Sequence, residues 1–390
     1  MSIEIPKELP IELQDALRHF NPDVHDAASI GQDLVDWLDG RHPDDLDQVL
    51  GCLRDMGAYP ISLVVLEAGW NADLPEDRLG RIAEDWIGTV LFGVGDRQGA
   101  EEVARHILKT SSKHGPSFEN DLGQLLLEWQ MYGVAQPIVA AAADALPGDM
   151  SAQFNLGIIS KLTGDWATAR IAFERVLSHR GDEKALQWNL GITYTALGDF
   201  VAARTAWRAV GFQMPDGEDD YAAEGDLTPV RLSSDKGPSE VLWGTRLCPA
   251  RVRIKGIPVL TTDVGYGDEV LVDGVPDGEV PREGSNVPVF NVLEILRRAE
   301  RATLYLEQGP DWTPEAVGAI MKSLDKEGIP WADWRPMSEL TPYPIAISVL
   351  RSELTPDSVW ANVSLQSSSI GRWISAQPVI TPTPGAVSRK

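Results

Sequence analysis

A chain of 390 residues, 43% of them apolar, holds enough material for two or three domains with real cores. Its 34 Lys and Arg against 58 Asp and Glu leave a formal charge of -24, which repels phosphate backbones and anionic bilayers and excludes nucleic acid and membrane as first-choice partners. Cys52 and Cys248 stand alone, so neither a disulfide framework nor a cysteine metal site is expected. The start MSIEIPKELP lacks the order of a secretory signal, so a cytoplasmic location is expected.

Residues 1–43 are strongly acidic. Leu9, Leu13, Ala16, Leu17 and Phe20 keep helical spacing, as do Ile30, Leu34, Val35 and Leu38, which predicts short amphipathic helices forming a cap on the segment after residue 43. From 44 to 214 the pattern is helix, glycine-containing turn, helix: Gly57 precedes the apolar run 61–66, Gly95 precedes Ala100, Val103 and Ala104, and Gly133 precedes 138–146. The pattern is clearest over 151–210, where one unit is written twice with a period of 34 residues. Laying 151–176 over 185–210 gives 11 identities in 26 positions, with aromatic pairs at Phe154/Trp188, Trp166/Phe200 and Phe173/Trp207.

Asn155-Leu156-Gly157 and Asn189-Leu190-Gly191, then Gly164-Asp165-Trp166 and Gly198-Asp199-Phe200, then Ala169 and Ala203 with Phe173 and Trp207 four residues on, together resemble the tetratricopeptide repeat. Gly157 and Gly191 sit inside apolar helices, where glycine costs about 1 kcal/mol relative to alanine, so close helix packing must offset it. Ala169 and Ala203 are the expected facing residues, with Phe173 and Trp207 filling the joint between units. Asp165 and Asp199 are placed to cap the second helix of each pair.

After Phe212 the stretch PDGEDDYAAEGD carries six acidic residues and no basic ones, and 215–239 reads as an acidic linker. From 240 to 375 short alternating segments predict an α+β domain with a small antiparallel sheet. Strands are expected at 241–247, 251–254, 257–260 and 269–272, followed by a helix at 289–301 and a strand at 303–306. A helix capped by Thr313 with Pro314 in its first turn comes next, then strands at 345–350 and 359–365, in the manner of a ferredoxin-like unit. The Pro- and Thr-rich tail 376–390 is expected to be mobile. The fold class is thus multidomain, an all-α helical-repeat array followed by a smaller α+β domain.

No catalytic signature survives. Gly93, Gly95 and Gly99 miss the dinucleotide-loop spacing by one residue, Gly265 and Gly267 lack a third glycine, and the six histidines form no metal spacing. No enzyme activity, metal or cofactor is expected. Arg251, Arg253 and Lys255 alternate, so on a strand they share a face, with Arg246 nearby. Three readings stand: a solvated face, docking against the acidic linker or N-terminal layer, or binding of an external anion. Trp331 and Trp334 read as core or interdomain anchors.

The resulting expectation is a non-catalytic scaffold or adaptor that holds a segment of another protein. By the resemblance, the first helix of each pair lines a concave groove. Its groove positions here are Phe154, Asn155, Ile158 and Lys161 in one unit and Trp188, Asn189, Ile192 and Thr195 in the next. The basic clamp that chaperone-docking relatives present is absent from these positions, so an apolar or amphipathic segment with a basic outer side is expected. Two alternatives stand beside this one: an enzyme or ligand-sensing module in 240–375 with the repeats as a targeting arm, and a groove filled by the chain's own linker or tail.

Overall fold

The computed structural model describes residues 5–70, 74–111, 114–181, 183–232, 239–259, 263–309, 311–337, 345–355, 357–368 and 370–375, so the tail expected to be mobile lies outside it. Its contacts divide the chain into two compact units, Met1–Gly181 and Asp182–Lys390, with the boundary falling between the two copies of the clearest repeat.

The first unit is built from helices. After α1 (Ile11–Arg18) and α2 (Ala27–Leu38) come hairpins of α3 (Pro43–Asp55) with α4 (Tyr59–Gly69), α5 (Glu76–Gly88) with α6 (Arg97–Thr110), α7 (Pro116–Glu128) with α8 (Tyr132–Ala145), and α9 (Met150–Leu162) with α10 (Trp166–Arg180). One contiguous core runs from Leu9 through Leu53, Ile87 and Leu126 to Ile159. The turns at Gly57, Gly95 and Gly164 are left-handed, as a tight helix-to-helix reversal requires. Between α7 and α8 that duty falls to Gln130, at φ 58°, and not to Gly133, which lies in the first turn of α8. Gln130 stands 34 residues before Gly164. Asp165 caps α10 by accepting from Thr168 N at 3.2 Å, as the spacing predicts.

The interior of the repeat differs from expectation in one respect. The rings themselves, rather than Ala169 and Ala203, lie over the helix glycines: a Cβ on Gly157 would sit 2.6 Å from Phe173 Cδ1, and one on Gly191 2.7 Å from the Trp207 indole. The same relation recurs one period earlier, where a Cβ on Gly123 would meet Val139 Cγ2 at 2.6 Å. Burying such a ring stabilises by roughly 1.5 to 3 kcal/mol, which outweighs the helix cost of the glycine beneath it.

The second unit opens with the hairpin of α11 (Lys184–Leu197) and α12 (Phe200–Ala209), whose turn uses Gly198 and whose cap is Asp199, accepting from Ala202 N at 3.0 Å. A closed barrel comes next: β1 (Leu227–Leu232), β2 (Glu240–Cys248), β3 (Arg251–Ile254), β4 (Glu269–Arg282) and β5 (Ser285–Arg297). Each strand pairs antiparallel with the next. Because the strand number is odd, closure has to be parallel, at Val230↔Phe290 and Arg231↔Asn291. Val230, Leu232, Val252, Ile254, Val270 and Val272 fill the interior.

Two elements differ in type from the sequence reading. The helix expected at 289–301 is mostly β5, and the strand expected at 359–365 is α14 (Val359–Ser367). The strand expected at 257–260 is absent over its described residues 257–259. With α14 in place, β6 (Arg301–Gln308), α13 (Pro314–Lys326), β7 (Trp331–Asp333), β8 (Ile345–Leu350), α14 and β9 (Gly371–Ser375) form a β-α-β-β-α-β unit with sheet order β7-β8-β6-β9. That is the split βαβ arrangement of ferredoxin-like units. β8 is buried on both faces: Ile345, Ile347 and Val349 face the core with α13, while Ala346 packs with Ile257 and Trp334. Trp334 is the anchor the sequence suggested, its ring 5.1 Å from that of Tyr305.

The acidic stretch 215–226 is bound rather than free. Arg251, only 3% exposed, pairs with Asp220 Oδ1 at 2.6 Å and donates to the Tyr221 carbonyl; Arg253 pairs with Glu224 at 3.2 Å. Arg204 of α12 donates to the Asp219 carbonyl, and Gly225 N donates to Arg246 O at 2.8 Å. Docking of the basic strand face onto the acidic segment is therefore what the chain uses, and β1 begins inside the stretch read as linker.

Candidate functional site

The eight groove positions implied by the resemblance have unequal access. Phe154 and Ile158 are half-buried, with Phe154 set edge-on to Phe173 at 5.7 Å between centroids. Asn155 is 7% exposed and donates from Nδ2 to Asn120 Oδ1 of α7 at 3.1 Å, and Lys161 is 4% exposed. In the other copy Asn189 is half-buried and donates to its own helix at Ala185 O, 2.9 Å away. Ile192 is fully buried, and Thr195, also buried, turns its hydroxyl onto Gly191 O at 2.6 Å. Trp188 lies against β4, where a side chain on Gly274 would fall inside the indole. Asn155 is thus committed to Asn120 inside the protein, whereas the Asn189 amide makes a solvent-exposed bond to its own helix.

A different surface combines access with shape. α5 and α7 are the first helices of successive hairpins and touch one another. Between them lies a cleft of about 660 Å³ whose floor is Ala83, Phe118, Leu122 and Leu125 and whose rim is Glu76, Asp77, Glu84, Asp121 and Glu128, with Arg81 as the basic member. Arg81 is already held by Asp77 at 3.4 Å and Asp47 at 3.5 Å, so its charge is matched within the protein. The helical period explains the layout. Ala83 and Leu122 fall on the core faces of their helices, while Glu84 and Asp121, one position away in sequence, turn outward along the rim. Sequence reading missed this cleft because its acids merge with the general acidity of the chain.

At the end of the cleft, Glu84 also lines a smaller pocket of about 240 Å³ with Tyr59, Asp85, Phe92 and Trp129. Phe92 is 66% exposed and stands edge-on to Trp129 at 5.3 Å. Burial pushes the Asp85 carboxyl upward, with Arg54, 3.0 Å away, pulling the other way. A segment crossing the cleft would meet aromatic surface next to negative charge.

No group of His, Cys, Asp and Glu able to hold a metal occurs among the described residues, and no described helix is long and apolar enough to cross a membrane. No family model matches the chain, and no curated protein matches its sequence. Among solved structures the chain is similar to MamA AMB-1, at 20% identity over 42% of this chain and 94% of that one, with a TM-score of 0.31. It is similar also to MamA 41-end from Desulfovibrio magneticus RS-1, at 19% identity over 48% of this chain and 94% of that one, with a TM-score of 0.31. TM-scores this low leave fold and function to rest on the chain's own geometry.

Proposed function

We propose that the hairpins of residues 44–214 are tetratricopeptide-like and serve as a non-catalytic scaffold, holding a basic amphipathic helix of another protein in the cleft between α5 and α7. The observation that carries this reading is the charge of the cleft set against its floor: five carboxylates, one of them paired with the single arginine, around four apolar side chains. Leucine-like residues of the guest bury on Leu125, the floor residue that keeps solvent access, while its lysines and arginines meet the rim. Such a rim sets encounter rate and specificity more than affinity, and the buried apolar contacts set the off-rate.

The test uses a synthetic amphipathic helical peptide with leucines on one face and lysines on the other, followed by fluorescence anisotropy. Because the whole chain is acidic, the control matters more than the binding itself. Glu84→Lys with Asp121→Lys in the cleft should weaken binding about tenfold or more, whereas the charge-matched pair Glu102→Lys and Asp144→Lys on α6 and α8 should change it little. Equal losses in the two pairs would mean that the peptide responds to net charge alone, and the cleft assignment would fail.

A further inference from the structure

The second unit contains a pocket of opposite character. A cavity of about 230 Å³ has Asp263, Tyr266, Asp268, Arg298, Arg301 and Arg351 in its lining, so three arginines border one small space in a chain of net charge -24. Its two carboxylates do not balance them. Asp268 is 4% exposed and already accepts from Ala299 N at 2.7 Å, Gly265 N at 2.9 Å and Arg298 Nη1 at 3.3 Å, which occupies most of its acceptor sites and neutralises Arg298.

Arg301 and Arg351 make no ion pair among the described residues. Arg301 is nonetheless fixed in place: Nε donates to Ser348 Oγ at 2.9 Å, Nη2 donates to Ser348 O at 2.6 Å, and its guanidinium lies 5.3 Å from the centre of the Tyr266 ring. That arrangement leaves Nη1 uncommitted. A half-buried guanidinium held by neutral partners, in a lining whose three arginines exceed Asp263 and Asp268 by one charge, is pre-organised for an anion. The planar fork of arginine also matches the paired oxygens of a phosphate or carboxylate group. The Asp268 hydrogen bonds lock the loop 265–268 and Ala299 around the opening, so little ordering is left to occur on binding.

We propose that this pocket is a binding site for a small molecule bearing a phosphate or carboxylate group, with Arg301 and Arg351 as the anion ligands and Arg298 held in reserve by Asp268. The site gives residues 240–375 a ligand-sensing role separate from the cleft between α5 and α7, and neither depends on the other. The full chain is titrated calorimetrically with inorganic phosphate and, separately, with succinate, against sodium chloride at equal ionic strength. Saturable binding of one or both is expected, and the stronger of the two identifies the oxyanion class.

Arg351 is exposed, so Arg351→Ala should fold normally. It should weaken that binding about tenfold, the scale of a lost hydrogen bond to a charged group, with Arg351→Lys recovering part. Arg335→Ala, which removes a guanidinium paired with Asp333 outside the pocket, should leave binding unchanged. The proposal is overturned by absence of saturable binding for both probes at about 10 mM. An affinity unaffected by Arg351→Ala, or lowered equally by Arg335→Ala, also overturns it.

Discussion

The hairpins α9–α10 and α11–α12 carry nearly the same sequence unit and make opposite use of its outer face. Inside each, an aromatic ring covers a helix glycine, Phe173 over Gly157 and Trp207 over Gly191. Outside, Asn155 is buried against Asn120, while Asn189 bonds back to its own helix. Phe154 stacks edge-on to Phe173, while Trp188 meets Trp207 at 5.4 Å and Phe212 at 5.6 Å and then covers Gly274 of a barrel strand. The repeated positions therefore encode how a hairpin closes on itself. What each copy packs against is encoded by positions that carry no period.

The comparison is broken most severely by removing the shared ring. Phe173→Ala and Trp207→Ala should each destabilise by about 3–5 kcal/mol, read as a shift in the midpoint of urea denaturation. A loss confined to one copy would show that the two interiors are not equivalent. Next comes overpacking: Gly157→Ala and Gly191→Ala push a methyl into the ring and should cost about 1–3 kcal/mol. By contrast, Gly51→Ala in α3, with nothing within 4 Å of the new methyl, should gain up to about 1 kcal/mol. Stabilisation at Gly157 or Gly191 would refute the close approach.

The asparagines sharpen the difference between the copies. Asn155→Ala strands the buried Asn120 carbonyl oxygen and should cost about 1–2 kcal/mol, whereas Asn189→Ala should stay within about 0.5 kcal/mol, both read from the same denaturation curves. An effect of opposite sign belongs to the irregular turn. Gln130→Gly relieves a left-handed conformation at a residue with a side chain and should stabilise by about 0.5–1 kcal/mol by thermal denaturation. A loss would mean that the Gln130 side chain contributes more than its backbone costs.

These particulars show what was legible in the sequence. The hairpins were, because period, capping aspartates and turn glycines are local signals. The turn at Gln130 was hidden, since no glycine marks it and Gly133 offered a false marker three residues on. β5 looked helical because Val289, Val292, Leu293 and Leu296 also fit a three-to-four spacing, and closure with β1, some 60 residues away, decided otherwise. α14 looked like a strand because a short apolar run carries no period of its own. The docking of Arg251 was legible only as one of three readings, since a charge pair across 31 residues needs the barrel to bring it together. The cleft between α5 and α7 and the arginine pocket were not legible, since both are assembled from residues that look ordinary along the chain.

The contact between Trp188 and Gly274 also bears on how such a chain can lengthen. Genes for repeat proteins gain length by copying a unit, and a 34-residue copy inserted upstream of Lys184 would leave that contact intact. A copy added after Ala209 would have to lift the β4 backbone off the indole and free the Arg204 and Arg251 anchors of the acidic segment at the same time. Duplication therefore has one open direction in this protein, and the barrel marks where the series of copies ends.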